Sequence, residues 1–381
     1  MHILIAPNAF KNSLDATDVA NAIQQGLKLS KLKCTTTCFP IADGGDGTGS
    51  LIIKSCEGKI IEKEVHNPLG RKIKSSFGLI ENGKTAVIEM ADASGLRLLK
   101  KDELNPMHTS SFGTGELIKF ALDDGVNKII LAMGGSATVD GGCGILNALG
   151  ISFLDDAGKQ LPATPGSLMN MTKIDSSVLD KRILNCEVVI LCDVDNKLLG
   201  AKGSAQVFGP QKGATPEMVQ LLDNFLEKFA KLSTAQCGID MSAIKHGGAA
   251  GGAAAGLHTW LNAKLVNGIE YFLSLTNFDK ALKGTNLVIT GEGSIDEQTL
   301  QGKGPYGVAR KAKNQNIPVI GIAGKVLLER NEKLQEYFDV LISINNELAD
   351  IATAISNTEK NLIRTATTIG NLIAASKLIV H

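Results

Sequence analysis

The chain has 381 residues, 44% hydrophobic and 20% charged, with Lys+Arg and Asp+Glu both 39 and a formal net charge of +0. That length allows about two domains, each able to bury its own core, and the balance excludes a disordered chain. Neutral bulk charge points away from nucleic acid and anionic membranes as partners, and no stretch approaches the ~20 apolar residues of a membrane span.

The first apolar run, HILIA (2 to 6), reads as a buried strand and meets Pro7 too soon to be a signal peptide. DATDVANAIQQGLKL follows as a helix with Val19, Ile23 and Leu27 on one face. Residues 60 to 90 alternate in polarity and carry PLG and NG turn signals, which predicts an antiparallel meander. Further buried strands are expected at KIILAM (128 to 133), EVVILC (187 to 192), NLVIT (286 to 290), PVIGIA (318 to 323) and DVLISI (339 to 344). Between the second and third of these, TPEMVQLLDNFLEKFAKL predicts a helix with Thr215 as N-cap and Pro216 at its first position.

Strands alternating with helices predict α/β layers around a mostly parallel, doubly wound sheet. Strand and helix patterns like the opening ones return near the C-terminus, so we expect a discontinuous domain of residues 1–66 plus 282–381. Residues 67–281 form an inserted mixed α/β domain, with the ligand cleft between the two. The seven cysteines lack zinc or disulfide spacing, as expected of reduced thiols in a cytoplasmic protein.

Four loops place glycines and an acid between a strand and a helix: PIADGGDGTGS (40 to 50), MGGSATVDGGCG (133 to 144), CDVDNKLLGAKGSAQVFGPQKGAT (192 to 215) and TGEGSIDEQTLQGKGPYGVA (290 to 309). In open α/β sheets such loops gather at the carboxyl ends of the strands. A Gly-rich turn that opens a helix offers free N–H groups and a positive dipole end to phosphate, and Gly134, Gly135 and Ser136 fit that role. The acids of these loops, Asp43, Asp46, Asp140, Asp193, Asp195, Glu292 and Asp296, supply what phosphoryl transfer needs: ligands for Mg²⁺ and a carboxylate to take the proton of an attacking hydroxyl. Lys11, Lys212 and Lys303 supply positive charge for the phosphates. GGCGILN and GEGSID do not complete GxGxxG; its one match, GKGPYG (302 to 307), lies about twelve residues past the strand NLVIT rather than directly after it, and the one match to GxxxxGK[ST], GLIENGKT (78 to 85), falls inside the antiparallel meander rather than before a helix. No HExxH or GxSxG appears, so a dinucleotide dehydrogenase, a P-loop kinase, a zinc protease and a serine hydrolase are disfavoured.

Read together, IAPNAFKNSL, PIADGGDGT, GGSATVDGGCG, CDVDN, VFGPQKGA, GGAAGG and VITGEGSIDEQTLQGKGPYGVA resemble the class I glycerate kinase family over nearly the whole chain. The resemblance implies a Rossmann-like discontinuous domain, an inserted domain, and ATP-dependent phosphorylation of D-glycerate with Mg²⁺, most often to the 2-phosphate. A 3-phosphate product, or a non-catalytic sugar-acid binder on the same fold, are the alternatives, and a monomer or homodimer is expected. Within this reading Gly134, Gly135 and Ser136 cradle phosphate at a helix N-terminus, while Lys11, Lys212 and Lys303 neutralise charge. Asp193 and Glu292 hold Mg²⁺, and Asp43 or Asp46 is the base or the anchor of the glycerate hydroxyls. The chain departs from the family pattern at Asn12, where glycine is expected, and at Asp46, Val139, His246 and Ser294. Ser294 replaces an arginine in an otherwise matching loop.

Overall fold

The computed structural model describes residues 1–327, 329, 331–347 and 350–379. In chain order the strands are β1 (His2–Ile5), β2 (Thr35–Cys38), β3 (Lys59–His66), β4 (Lys72–Ile80), β5 (Thr85–Glu89), β6 (Lys128–Ala132), β7 (Ser152–Leu154), β8 (Lys173–Asp175), β9 (Glu187–Cys192), β10 (Lys264–Asn267), β11 (Leu287–Ile295), β12 (Val319–Val326) and β13 (Val340–Ser343). The chain divides into two compact units, Met1–Asp43 with Ile269–His381, and Gly44–Gly268.

In the first unit the sheet order is β13-β12-β11-β1-β2, with every neighbouring pair parallel. Parallel strands covered on both faces read as continuous apolar runs, and Ile3, Leu4, Ile5, Val288 and Ile289 are all fully buried. The helix Ala16–Leu29 starts where Asp15 accepts the Asp18 N–H at 2.8 Å, and its Val19, Ile23 and Leu27 face the core as the spacing predicts. From β1 the chain pairs outward to β2 on one side and to β11 on the other. That reversal is a topological switch point, where loops at the carboxyl ends diverge and leave room for a ligand.

In the second unit β10-β9-β6-β5 run parallel, and β4 and β3 continue the sheet antiparallel. The antiparallel part is the expected meander, and the β3–β4 turn closes with the Gly70 N–H on Asn67 O at 2.9 Å. Helix Pro216–Cys237 opens as predicted, with Thr215 Oγ1 accepting from the Met218 N–H, and buries Leu222, Phe225, Leu226 and Phe229. β7 and β8 form a separate two-stranded ribbon.

The joints fall at 43/44 and 268/269 rather than at 66/67 and 281/282. Pairing decides the first: β3 forms eight consecutive registered pairs with β4, from Lys59↔Leu79 to His66↔Lys72, so it belongs to the second sheet. Side-chain packing decides the second. Ile269 lies against Gly307, and Arg310 pairs with Glu270, which ties the segment after residue 268 to the first unit.

Candidate active site

Two sets of loops carry the predicted residues, one in each unit. In the first unit they sit at the carboxyl ends of β1, β2 and β11, around the switch point. Asp43 is half-buried, and its Oδ2 accepts from Asn8 Nδ2 at 2.9 Å and from the Gly304 N–H at 3.1 Å. Gly304 is the first residue of helix Gly304–Lys313, so Asp43 occupies the positive end of that helix. Lys11 is exposed, and its backbone nitrogen lies 3.8 Å from where a Cβ on Gly293 would stand, which places its loop beside the end of β11. Asn12 takes φ +65°, a left-handed conformation that Asn tolerates better than most residues, which accounts for Asn in place of the expected glycine.

Glu292 is 8% exposed and its Oε1 accepts from Thr299 Oγ1 at 2.8 Å. Burial raises its carboxyl to about 7, with Lys303 pulling it down and Asp43 and Asp296 pushing it up. Lys303, half-buried, occupies the N-cap position of the helix whose first N–H Asp43 takes. Lys11, Asp43, Glu292 and Lys303 thus belong to one unit. Ser294 donates to Asp296 Oδ2 at 3.2 Å, and Asp296 in turn caps the turn Glu297–Gln301.

In the second unit the parallel strand β5 ends at Glu89, β6 is followed by the Met133–Gly135 turn and β9 by Asp193. Asp46 is exposed and pairs with Arg97 Nη1 at 2.8 Å. Its loop lies directly on the glycine turn: the Gly134 N–H reaches Gly44 O at 3.2 Å, and a Cβ at Gly134 would stand 2.2 Å from the Asp46 nitrogen. Only glycine permits that approach. Asp193 follows β9, half-buried, with its nitrogen 3.4 Å from a Cβ position on Gly44.

Two expectations are corrected here. Gly134, Gly135 and Ser136 do not open a helix; they form a turn bridged by Gly95↔Ser136, and the next helix begins only at Cys143. The N–H groups at that helix start are already held by a protein anion. Asp140, fully buried, accepts from Gly142 N, Gly144 N, Ser111 N and Ser111 Oγ at 2.7 to 3.1 Å. Lys212, expected to neutralise phosphate charge, is buried and already engaged by the protein. At 2% exposure it donates to Ser136 Oγ at 2.9 Å and Thr138 O at 2.7 Å, and burial pulls it down to about 7 against the opposing pull of Asp140. Asp193, expected with Glu292 as a metal ligand, lies in the second unit and Glu292 in the first. Among the described residues no group of three or more His, Cys, Asp or Glu converges as a metal cage.

Sequence reading missed Asn8, Arg97 and Glu89. Glu89 is 3% exposed and accepts the N–H groups of Gly47 and Ser50, and burial raises it to about 7. Its one signal was an acid closing the apolar strand TAVIE at a carboxyl end.

The profile of the Glycerate kinase family matches residues 3–374. A glycerate kinase of Haemophilus influenzae is 44% identical over 98% of this chain and 99% of its own length, and one of Bacillus subtilis is 43% identical over 99% of each. A glycerate 2-kinase of Escherichia coli is 40% identical over 98% of each chain. A solved structure described as glycerate kinase 2, from Salmonella typhimurium LT2, superposes with a TM-score of 0.83 at 41% identity, covering 99% of both chains. No helix among the described residues is long and apolar enough to cross a membrane.

Proposed function

The chain belongs to the glycerate kinase family, and on that premise we propose that it transfers the γ-phosphoryl group of ATP to the 2-hydroxyl of D-glycerate. The observation that carries the chemistry is the grouping of Asp43, Glu292, Lys303 and the exposed Lys11 at the switch point of a parallel sheet. In the step, the hydroxyl oxygen attacks the γ-phosphorus, the bond to the β–γ bridging oxygen breaks, and ADP leaves. The hydroxyl proton passes to a carboxylate. Asp43 suits that role because Asn8 and Gly304 fix it through Oδ2, which leaves Oδ1 to receive the proton. Asp46, paired with Arg97, suits the anchoring of a second glycerate hydroxyl.

Lys11 and Lys303 are proposed to neutralise the phosphates, and the N–H groups of the Gly134–Ser136 turn to contact one of them. Lys212 serves this indirectly, by holding Ser136 and Thr138 in place. A single carboxylate with substrate phosphates can be the protein's share of Mg²⁺ coordination, and Glu292 in the first unit or Asp193 in the second offers such a hard oxygen. When bound, Mg²⁺ would offset charge on the phosphate oxygens. A monomer or homodimer completes the proposal, and a cytoplasmic setting is supported by the free, buried thiols of Cys143, Cys186 and Cys192, which burial raises and so keeps unreactive.

Coupled ADP release with a panel of hydroxy acids tests the reading, and phosphorus NMR of the product separates the 2- from the 3-phosphate. Release with none of them would overturn it, and binding without release would favour the non-catalytic binder.

A further inference from the structure

Glu89 has no part in the proposed chemistry, yet it is one of the most deeply buried acids in the second unit, at 3% exposure. It ends β5, and helix Thr48–Ser55 begins directly against it. That helix has no side-chain cap of its own, since Gly47 holds the N-cap position. Glu89 fills the place: Oε1 accepts the Gly47 N–H, and Oε2 accepts the Ser50 N–H at 3.3 Å. A second observation is steric. A Cβ at Gly49 would stand 3.0 Å from Glu89 Oε2 and 3.1 Å from Glu89 Cβ, so the helix start is seated on this side chain more tightly than a residue with a Cβ would ordinarily be.

Gly47 immediately follows Asp46, and the Asp46 nitrogen is where a Cβ on Gly134 would collide, at 2.2 Å. Fixing Gly47 therefore fixes how the Asp46 turn lies on the glycine turn 134 to 135. Charged groups around Glu89 are Asp46 and Asp92, and Arg97 forks between those two.

We infer that Glu89 is a positioning residue for phosphoryl transfer, acting through the Gly47 and Ser50 N–H groups to hold the Asp46 turn against Gly134 and Gly135. The inference rests on the kinase reading for its chemical meaning and on the hydrogen bonds alone for its geometry.

The test compares Glu89→Ala, Glu89→Gln and Gly49→Ala with the wild-type enzyme, using turnover per folded molecule and amide exchange at residues 44 to 50. Glu89→Ala removes both acceptors and is expected to lower kcat by about 10- to 100-fold, the scale on which small misplacements reduce rate, with faster exchange at Gly47 and Ser50. Glu89→Gln keeps one amide oxygen as acceptor but turns its NH₂ toward the other donor, so it should recover part of kcat and protect only one of the two N–H groups. Gly49→Ala removes no hydrogen-bonding group, yet pushes the helix off Glu89, and should lower kcat with a smaller change in ATP KM. Three results would overturn the inference: wild-type kcat in folded Glu89→Ala, equal losses in the Gln and Ala variants, or unchanged exchange at Gly47 and Ser50. Wild-type protein that releases no ADP would sink the kinase reading instead, while the exchange data would still decide the geometry.

Discussion

Asp140 lies in the most glycine-rich loop of the chain, and it acts as an internal anion rather than in the chemistry; replacing it by Asn should separate the two roles. Its carboxylate receives four hydrogen bonds, three on Oδ2 and one on Oδ1. Ser111 Oγ relays a fifth, accepting from the Ile145 N–H at 3.1 Å. Two helix starts, at Phe112 and Cys143, are satisfied through this one buried group. An amide of the same shape must turn NH₂ toward at least one donor, which leaves a buried N–H unsatisfied at about 1–3 kcal/mol. The remaining bonds lose their charge assistance, about half their strength each. A total near 3 kcal/mol follows, and in a unit of this size each kcal/mol lowers Tm by roughly 2–4 °C. Thermal unfolding by circular dichroism should therefore show a fall of about 6–12 °C. ADP release per folded molecule should stay within about threefold of wild type. A fall below roughly 3 °C, or a 100-fold loss of turnover in folded protein, would refute the assignment.

Lys11→Ala should raise ATP KM and lower kcat/KM by about 100-fold, because an exposed cation with a phosphate role acts electrostatically; steady-state kinetics at two salt concentrations checks it. Asp43→Asn should lower kcat by at least ~100-fold with little change in Tm, since an amide oxygen still accepts from Asn8 and Gly304 but no longer takes a proton. Glu292 is protonated below about 7, so if it holds Mg²⁺, activity at limiting Mg²⁺ should fall as pH drops through 7, and added Mg²⁺ should move that midpoint downward by competing with the proton. Glu89 and Glu292 are both raised from 4.5 to about 7 on folding, so the folded state holds their protons more tightly. The stability this gives is complete below pH 4.5 and is lost as pH rises through 7, about 3 kcal/mol for each group. Lys212, lowered from 10.5 to about 7, acts oppositely, and its contribution returns as pH rises from 7 toward 10.5. Urea unfolding of ligand-free protein at pH 5, 7 and 9 should show a minimum near 7, absent in a Glu89→Gln, Lys212→Met double variant apart from the Glu292 share.

The strands and their caps were legible because they are local. Three consecutive apolar residues at Ile3 to Ile5, or a Thr-Pro pair before an apolar period, determine a strand or a helix start within a few positions. The joints were not legible, because whether β3 joins the first sheet or the second depends on its registered partner β4, and its own alternation is compatible with either. Lys212 was misread as a phosphate partner because GPQKGA does not say where its lysine points; that direction is set by Ser136 and Thr138, some seventy residues earlier. Glu89 closes a strand that is otherwise apolar. Whether such an acid faces water or a helix start depends on helix Thr48–Ser55, forty residues upstream.

The Gly-rich loops have a different use from the one their composition suggests. A glycine turn before a helix is a ready anion site, but in this chain carboxylates of the protein itself occupy several such starts. Asp140 holds that of Cys143–Ala148, Glu89 that of Thr48–Ser55, and Asp43 that of Gly304–Lys313. The glycines serve the approach of loop on loop instead: Gly134 on the Asp46 backbone, and Gly251 with a Cβ position 2.0 Å from Thr138 O. With those N–H groups committed, a triphosphate must find its positive charge mainly in side chains. Lys11 is exposed and Lys303 half-buried, whereas Lys212 is spent on the Ser136 turn. Helix ends in this enzyme therefore orient acids, and under the proposed function the lysines at the switch point are the groups left to meet the phosphates. That division keeps the carboxylates ordered before substrate arrives and, under the proposed function, leaves charge neutralisation to lysine side chains with several rotatable bonds.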